Sequence, residues 1–182
     1  YTARSDEELR LDIERSMDYG FNSARLHQKV FDPRMLYWAD RLGYPVWGEM
    51  ADWGLDLALP AAQANFRREW DEAVRRDISH PSLLIWTPFN ERSGAFHSDK
   101  AQHDFVREIV QRTKELDPSR PVCSSSGFEH VTETDIADIH DYDANAPAIR
   151  ERYSQDFTPD GPPLTTHNVP TFAEGEHYTG QP

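Results

Sequence analysis

The residue pair with the clearest capacity for chemistry is Asn90-Glu91, which follows an apolar run at residues 83–86. A buried strand that ends in this way places an amide and a carboxyl group side by side. Apolar neighbours favour the protonated form of a carboxyl group, as a general acid requires near neutral pH. The amide of Asn90 suits a substrate hydroxyl. Because an Asn-Glu pair also occurs at helix N-termini, the residue types alone leave a structural interpretation open.

Other polar residues stand after short apolar segments in the same manner, as expected where parallel strands end. These residues are Arg25, His27, Glu49, His140 and Asp141. The segments predict strands at residues 21–26, 45–48, 82–87, 121–125 and 135–140. Their apolar runs are continuous rather than alternating, which indicates burial on both faces and therefore a parallel sheet.

Helices are predicted between these strands. A capping box at Ser5 and Glu8 begins the first helix, and Asp32-Pro33 begins the second. Apolar residues at helical spacing mark the third and fourth helices: Phe66, Trp70, Val74 and Ile78, then Phe105, Ile109 and Leu116. This alternation predicts an α/β fold whose parallel sheet is open or closed into a barrel. No glycine-rich turn follows the first strand, which argues against a dinucleotide-binding sheet.

Composition and missing motifs argue against several classes of function. The chain has 182 residues with 19 Lys and Arg against 32 Asp and Glu, a net charge of −13, which disfavours nucleic acid and anionic membranes as partners. No run approaches the roughly 18 apolar residues of a membrane helix. Cys123 is the single cysteine, which excludes an internal disulfide and fits the cytoplasmic location that we expect. The absence of His-Glu-x-x-His and Gly-x-Ser-x-Gly patterns argues against a zinc site and an esterase.

Four segments together resemble the catalytic domain of glycoside hydrolase family 2. They are residues 20–27, 37–49, 79–91 and 138–142, which are similar to the second strand, the next helix with the third strand, the fourth strand and the sixth strand of that family. The resemblance covers about residues 5–153 and the last few residues. It implies a (β/α)8 TIM barrel that is incomplete, with approximately strands two to six present. Residues 1–182 would then be part of one catalytic barrel, and residues 154–182 an irregular loop leading to the nucleophile strand.

The resemblance also implies a chemistry. Glu91 would be the general acid/base in the retaining hydrolysis of a β-glycosidic bond, as in β-galactosidases and β-glucuronidases. The run Gly180-Gln181-Pro182 resembles the lead-in to the strand that carries the nucleophile, so we expect that glutamate after Pro182. Glu174 and Glu176 are the alternatives within the chain. We therefore expect residues 1–182 alone to be inactive and to self-associate through unpaired sheet edges.

The resemblance assigns further side chains to a carbohydrate substrate: Asn90, Arg25, His27, His140, Tyr142 and Trp53. Each has a structural alternative, such as an ion pair for Arg25 or a satisfied buried polar group for His140. A glucuronide would need cationic groups, for which Arg92 and Lys29 are candidates. No metal and no organic cofactor is expected. Two other functions stay open, namely a non-catalytic carbohydrate-binding protein on a degenerate barrel and a scaffold domain without a sugar site.

Overall fold

Three short parallel strands with helices between them form the centre of the structure. The computed structural model describes residues 3–154, 165–166 and 169–182. Its elements, in chain order, are α1 (Asp6–Asp18), β1 (Ala24–Arg25), α2 (Pro33–Leu42), β2 (Val46–Glu49), α3 (Pro60–Asp77), β3 (Leu83–Thr87), a 3-10 turn (Gly94–Ser98), α4 (Lys100–Leu116), α5 (Ala146–Arg152), β4 (Thr165–Thr166) and β5 (Val169–Pro170). No helix of the described residues is long and apolar enough to cross a lipid bilayer.

The first two helices begin where the sequence predicts. The Ser5 side chain accepts the backbone N–H of Glu8 at the start of α1. The Asp32 side chain caps the start of α2. Gly43, which follows the last residue of α2, has a φ of 66°, in the left-handed region that glycine tolerates. These caps satisfy backbone groups that a helix end leaves unpaired, so both helix boundaries are fixed locally.

The apolar faces of α3 and α4 pack against each other and against β3. Phe66 of α3 stacks on Phe89 with ring centroids 4.6 Å apart. The indole N–H of Trp70 donates to the Thr113 hydroxyl of α4 at 2.8 Å, so this buried ring is satisfied as well as packed. Trp86 lies in the same core, as the sequence predicts for a strand interior.

The strands form a parallel sheet in the order β1-β2-β3, which confirms the predicted parallel arrangement. Ala24 pairs with Val46, and Glu49 pairs with Thr87. Because the strands run in one direction, their carboxyl ends meet at one edge of the sheet. Arg25, Glu49 and the residues after β3 therefore lie together there.

Residues 121–125 and 135–140 are not the regular strands predicted for them, and the backbone bends at residues 124, 125 and 135. The first segment lies parallel to β3 through single bridges, Trp86 to Val122 and Asn90 to Ser126. On its other side, side chains rather than a neighbouring backbone take its N–H groups. Val122, Ser124 and Gly127 donate to the side chains of Asp135, Thr134 and Asp138. Two backbone hydrogen bonds also join this region to the second segment, from Asp135 N–H to Val122 O and from His140 N–H to Gly127 O. Side-chain acceptors take the remaining N–H groups that a regular ladder between the two segments would use.

The end of the chain has more local structure than predicted. Asn145 caps the start of α5, and its side chain accepts the backbone N–H of Ala148. Within the segment 154–182, β4 and β5 form a short antiparallel pair, and Phe172 bridges to His130. Residues 155–164 and 167–168 of that predicted loop lie outside the described residues.

Candidate active site

Arg25 joins the ends of all three parallel strands. One of its terminal nitrogens, Nη1, donates to Glu49 Oε2 at 2.9 Å and to Asn90 Oδ1 at 2.9 Å. Its Nη2 lies 2.9 Å from His27 Nδ1. The amide nitrogen of Asn90 is buried and has no hydrogen-bond partner among the described residues. Arg25 therefore fixes the Asn90 side chain through its oxygen and leaves the amide N–H groups unused.

Glu49 is the buried acid of this cluster. Burial raises the pKa of Glu49 to about 7, although the backbone N–H of Gln28 and the Arg25 guanidinium both act to lower it. Its other oxygen lies 3.2 Å from His27 Nδ1. Burial, and next the charge of Arg25, lower the pKa of His27 below its usual value, so the ring is neutral near pH 7.

Glu91 has an unusual backbone and a tightly held carboxyl group. Its φ is 50°, in the left-handed region, and its N–H donates to Ser126 O at 2.9 Å. Its Oε1 lies 2.7 Å from His140 Nδ1 and accepts the hydroxyl of Tyr142. That hydrogen bond, followed by burial, raises the pKa of the Tyr142 phenol. A non-glycine residue in this conformation persists only where its surroundings impose it.

His140 is held on its other side as well. Its Nε2 lies 3.1 Å from Ser126 Oγ, and the backbone N–H of His140 donates to Gly127 O at 3.0 Å. A Cβ at Gly127 would lie 2.2 Å from the ring, so only glycine leaves room for it. Both ring nitrogens of His140 thus have protein partners. The predicted contact between this ring and a sugar stays a prediction.

Trp53 and His27 form the outer side of the cluster. Their rings meet edge to face with centroids 6.1 Å apart, and Trp53 is 67% exposed. Trp53, Asn90 and Glu91 all line an open cleft of about 380 Å³. An exposed aromatic face beside a carboxyl group and an amide is an arrangement that suits a sugar ring.

The two candidate cations for a sugar carboxylate have other contacts. The Arg92 guanidinium donates to the Asp52 carboxylate, to Asp52 O at 2.6 Å and to Leu55 O at 3.3 Å. Lys29 lies over the Phe31 ring, 4.1 Å from its centroid, and lines a different depression from Glu91. Arg92 therefore neutralises the buried Asp52, although it also lines the cleft with Glu91, and its role towards a sugar carboxylate stays a prediction.

Glu176, one alternative nucleophile, belongs to a separate cluster. It accepts Arg107 Nη2 at 2.7 Å and the backbone N–H of Thr132 at 2.8 Å, and these donors help to lower its pKa against the effect of burial. Glu174 and Glu176 both line another cleft, of about 620 Å³, that does not include Glu91. This cleft is distinct from the one that Asn90 and Glu91 line.

Cys123, His130 and Asp138 are the described residues whose ligand atoms lie near enough for a metal, all within 4.8 Å of one another. Their contacts are those of a satisfied hydrogen-bond cluster. The thiol donates to Asp138 at 3.2 Å, and His130 lies 3.0 Å from Asp138 O and 3.2 Å from Ser124 Oγ. Burial raises the pKa of Cys123 and opposes the thiolate that a metal needs. We assign no metal to it.

Sequence reasoning missed two residues that hold the site together. Gln28 has a φ of 57°, and its side-chain oxygen accepts the backbone N–H groups of Asp52 and Trp53 at 3.0 and 3.1 Å. Asp138 accepts the hydroxyl of Ser126 at 2.6 Å. Gln28 stands in no motif, and its contacts span 24 and 25 positions. Asp138 opens the segment 138–142, but its contact with Ser126 spans 12 positions, so no local signal identified either role.

Comparison with known proteins matches the chain to the glycosyl hydrolases of family 2. The family described as glycosyl hydrolases family 2, TIM barrel domain, matches residues 3–159. The β-glucuronidase of Chlorocebus aethiops is 35% identical over 108 residues, which are 57% of this chain and 16% of that protein. The β-glucuronidase of Sus scrofa is 30% identical over 131 residues, which are 68% of this chain and 20% of that protein.

A solved structure resembles the fold. The crystal structure of Parabacteroides merdae β-glucuronidase with glycerol in its active site has a TM-score of 0.59 at 26% identity, covering 68% of this chain and 16% of that one. The chain therefore spans a fifth or less of the length of these three proteins. The three parallel strands correspond to part of a barrel.

Proposed function

Because the chain belongs to the TIM barrel domain of glycosyl hydrolase family 2, we propose that it supplies part of the active site of a retaining β-glycosidase, with Glu91 as the general acid/base. The observation that carries this proposal is the placement of Glu91. Its carboxyl group is held by His140 and Tyr142 at the mouth of an open cleft, beside the unpaired amide of Asn90.

The mechanism would be a double displacement. Glu91 protonates the leaving oxygen while a second carboxylate, about 5–5.5 Å away, attacks the anomeric carbon. Glu91 then deprotonates the water that releases the sugar. Since Glu174 and Glu176 line another cleft, we propose that the second carboxylate comes from elsewhere in the parent barrel. Asn90 would donate to a sugar hydroxyl, Trp53 would stack on the ring, and Arg25 and His27 would support the substrate or the nucleophile.

The names of the relatives favour a β-glucuronide as the substrate, and we propose that sugar ahead of a β-galactoside. Arg92 and Lys29 have other contacts. We therefore assign the partner of the sugar carboxylate to neither residue. Paired assays of aryl β-glucuronides and aryl β-galactosides with the parent enzyme would decide between the two sugars.

The role of Glu91 can be tested in the full-length parent with Glu91→Gln. We expect kcat/KM to fall about 10²–10⁴-fold for poorly activated aryl leaving groups and much less for activated ones, because the latter need little protonation. Added azide attacks without a general base and should restore turnover of activated glycosides. Glu174→Gln, an exposed carboxylate in the other cleft, is the matched control.

An equal loss for all leaving groups, with glycosylation rate-limiting, would contradict the role of Glu91. In the same assay we expect residues 1–182 alone to show no turnover. In a measurement of molecular mass in solution we expect them to self-associate. Clear turnover by that polypeptide would place the nucleophile within it and return Glu174 or Glu176 to consideration. Binding of glycosides without turnover by the parent would favour the non-catalytic carbohydrate-binding alternative.

A further inference from the structure

A chain of hydrogen bonds leads from the interior to Glu91. Asp138 Oδ2 accepts the Ser126 hydroxyl at 2.6 Å, Ser126 Oγ lies 3.1 Å from His140 Nε2, and His140 Nδ1 lies 2.7 Å from Glu91 Oε1. Ser126 and its neighbours 124 and 125 are fully buried. The chain of contacts begins in the protein and ends at the group proposed to transfer a proton.

The direction of each proton follows from the donors that cannot change. The backbone N–H of Gly127 donates to Asp138 Oδ1 at 2.9 Å, and the Cys123 thiol donates to the same oxygen. Asp138 therefore acts only as an acceptor, and the single hydroxyl proton of Ser126 points to it. Ser126 Oγ must then accept from His140, so the ring proton lies on Nε2.

We propose that Asp138 and Ser126 are positioning residues that act on Glu91 through His140, by keeping the ring proton on Nε2 and the bare Nδ1 towards the carboxyl group. The proposal rests on the proposed role of Glu91. One proton is shared across this contact, either as Oε1–H with a neutral ring or as a carboxylate with an imidazolium. When Glu91 has given its proton to the leaving oxygen, the bare Nδ1 faces a carboxylate. That repulsion favours the return of a proton from water in the second step.

The ring has no freedom to escape this arrangement. The ring packs so closely on Gly127 that a Cβ at this residue would lie 2.2 Å from it. The backbone N–H of His140 also donates a hydrogen bond to Gly127 O. Other titratable or charged groups near the pair are Tyr142, which donates to Glu91, and Arg25 and His27 from the β1 side. The buried His130 also interacts with His140 and lies 3.5 Å from Asp138 Oδ1. These groups are common to the wild type and the variants below, so they cancel in the comparison.

Asp138→Asn in the full-length parent should reverse the direction of the hydrogen bonds from residue 138 to His140 without changing the size of the side chain. Gly127 and Cys123 both donate at the Oδ1 position, so they hold the amide oxygen there and turn the NH₂ towards Ser126. Ser126 must then donate to His140 Nε2, which moves the ring proton to Nδ1. That proton stabilises the carboxylate form of Glu91, the form that cannot act as an acid.

We expect the basic limb of the kcat/KM profile to move about one pH unit lower. We also expect kcat/KM to fall about tenfold more for a poor aryl leaving group than for an activated one. Asp135→Asn is the matched control, since Asp135 lies in the same segment but contacts Lys114 and the Val122 N–H. It should leave both the pH profile and the leaving-group dependence unchanged.

A uniform loss at all leaving groups with an unshifted pH profile would mean that Asp138 is only structural and would overturn the proposal. The nitrogen chemical shifts of His140 in ¹⁵N-histidine-labelled parent protein, assigned with His140→Gln, report the tautomer without any turnover. A wild-type ring protonated on Nδ1 would also overturn the proposal, even if Asp138→Asn does not fold. If the tautomer is as proposed but the parent hydrolyses no aryl β-glycoside, the proposed function fails and the hydrogen-bond assignment stands.

Discussion

Gly127→Ala should impair the site through a single steric contact. An alanine Cβ at this position would lie 2.2 Å from Cγ and Nδ1 of His140 and 2.5 Å from its Cδ2. Non-bonded carbon atoms in ordinary contact are about 3.5 Å apart, so the ring must move by roughly 1 Å. Its 2.7 Å contact with Glu91 Oε1 would then lengthen towards the limit of a hydrogen bond.

The size of the effect follows from the lost contact. A hydrogen bond to a charged group is worth about 1.5–3 kcal/mol, which corresponds to a fall of about 10–100-fold in kcat/KM. The backbone of residue 127, with a φ of +95°, adds a stability cost of about 1–2 kcal/mol for any residue with a Cβ. The variant should therefore be somewhat less stable and much less active.

The assay compares kcat/KM of the full-length parent for an aryl β-glycoside with the free energy of unfolding. Gly43→Ala is the control, since Gly43 also has a positive φ, +66°, but has nothing within 4 Å of the added Cβ. It should lose similar stability and keep its activity. Equal activity of the two variants would show that the His140 ring does not depend on Gly127 and would refute the reasoning.

Two further results are expected. Trp53→Ala should raise KM about 3–10-fold with little change in kcat, because an exposed aromatic face contributes about 0.5–1.5 kcal/mol to stacking; a fall in kcat alone would contradict this. Glu49→Gln should change how stability varies with pH. Burial raises the pKa of Glu49 to about 7 from a usual 4.5, so the wild type loses stability as the pH rises between those values. Relative to the variant, its free energy of unfolding should fall by about 2–3 kcal/mol between pH 5 and 8 in urea titrations, and parallel profiles would count against the raised pKa.

Local sequence patterns predicted the helix starts and the buried strand, because those features depend on residues that are close together in the sequence. Caps at Ser5 and Asp32 define α1 and α2, and the apolar run before Asn90 defines β3. Because parallel strands end at one edge, the sequence also predicted that Arg25 and Glu91 would lie together, and Arg25 lies 2.9 Å from Asn90, the residue before Glu91. The family resemblance, now supported by the match over residues 3–159, supplied the barrel.

The predictions failed where side chains compete with the backbone for hydrogen bonds. Residues 121–125 and 135–140 have strand-like composition, yet Thr134, Asp135 and Asp138 accept the N–H groups that a ladder would use. Arg92 stands next to Glu91 in the sequence, but the buried Asp52 holds it. Arg92 and Asp52 are 40 residues apart in the sequence, and a pairing over such a distance cannot be predicted from the residue types alone.

Gln28 and Glu91 are the non-glycine residues with positive φ in the described part of the chain, and both lie at the site. A left-handed backbone costs an ordinary residue about 1–2 kcal/mol that glycine does not incur and asparagine incurs less often. A mutant library selected for heat resistance, with no requirement for turnover, would therefore accumulate glycine or asparagine at position 91. Laboratory evolution of a more heat-stable barrel would need an activity screen at every round to retain Glu91, the proposed acid.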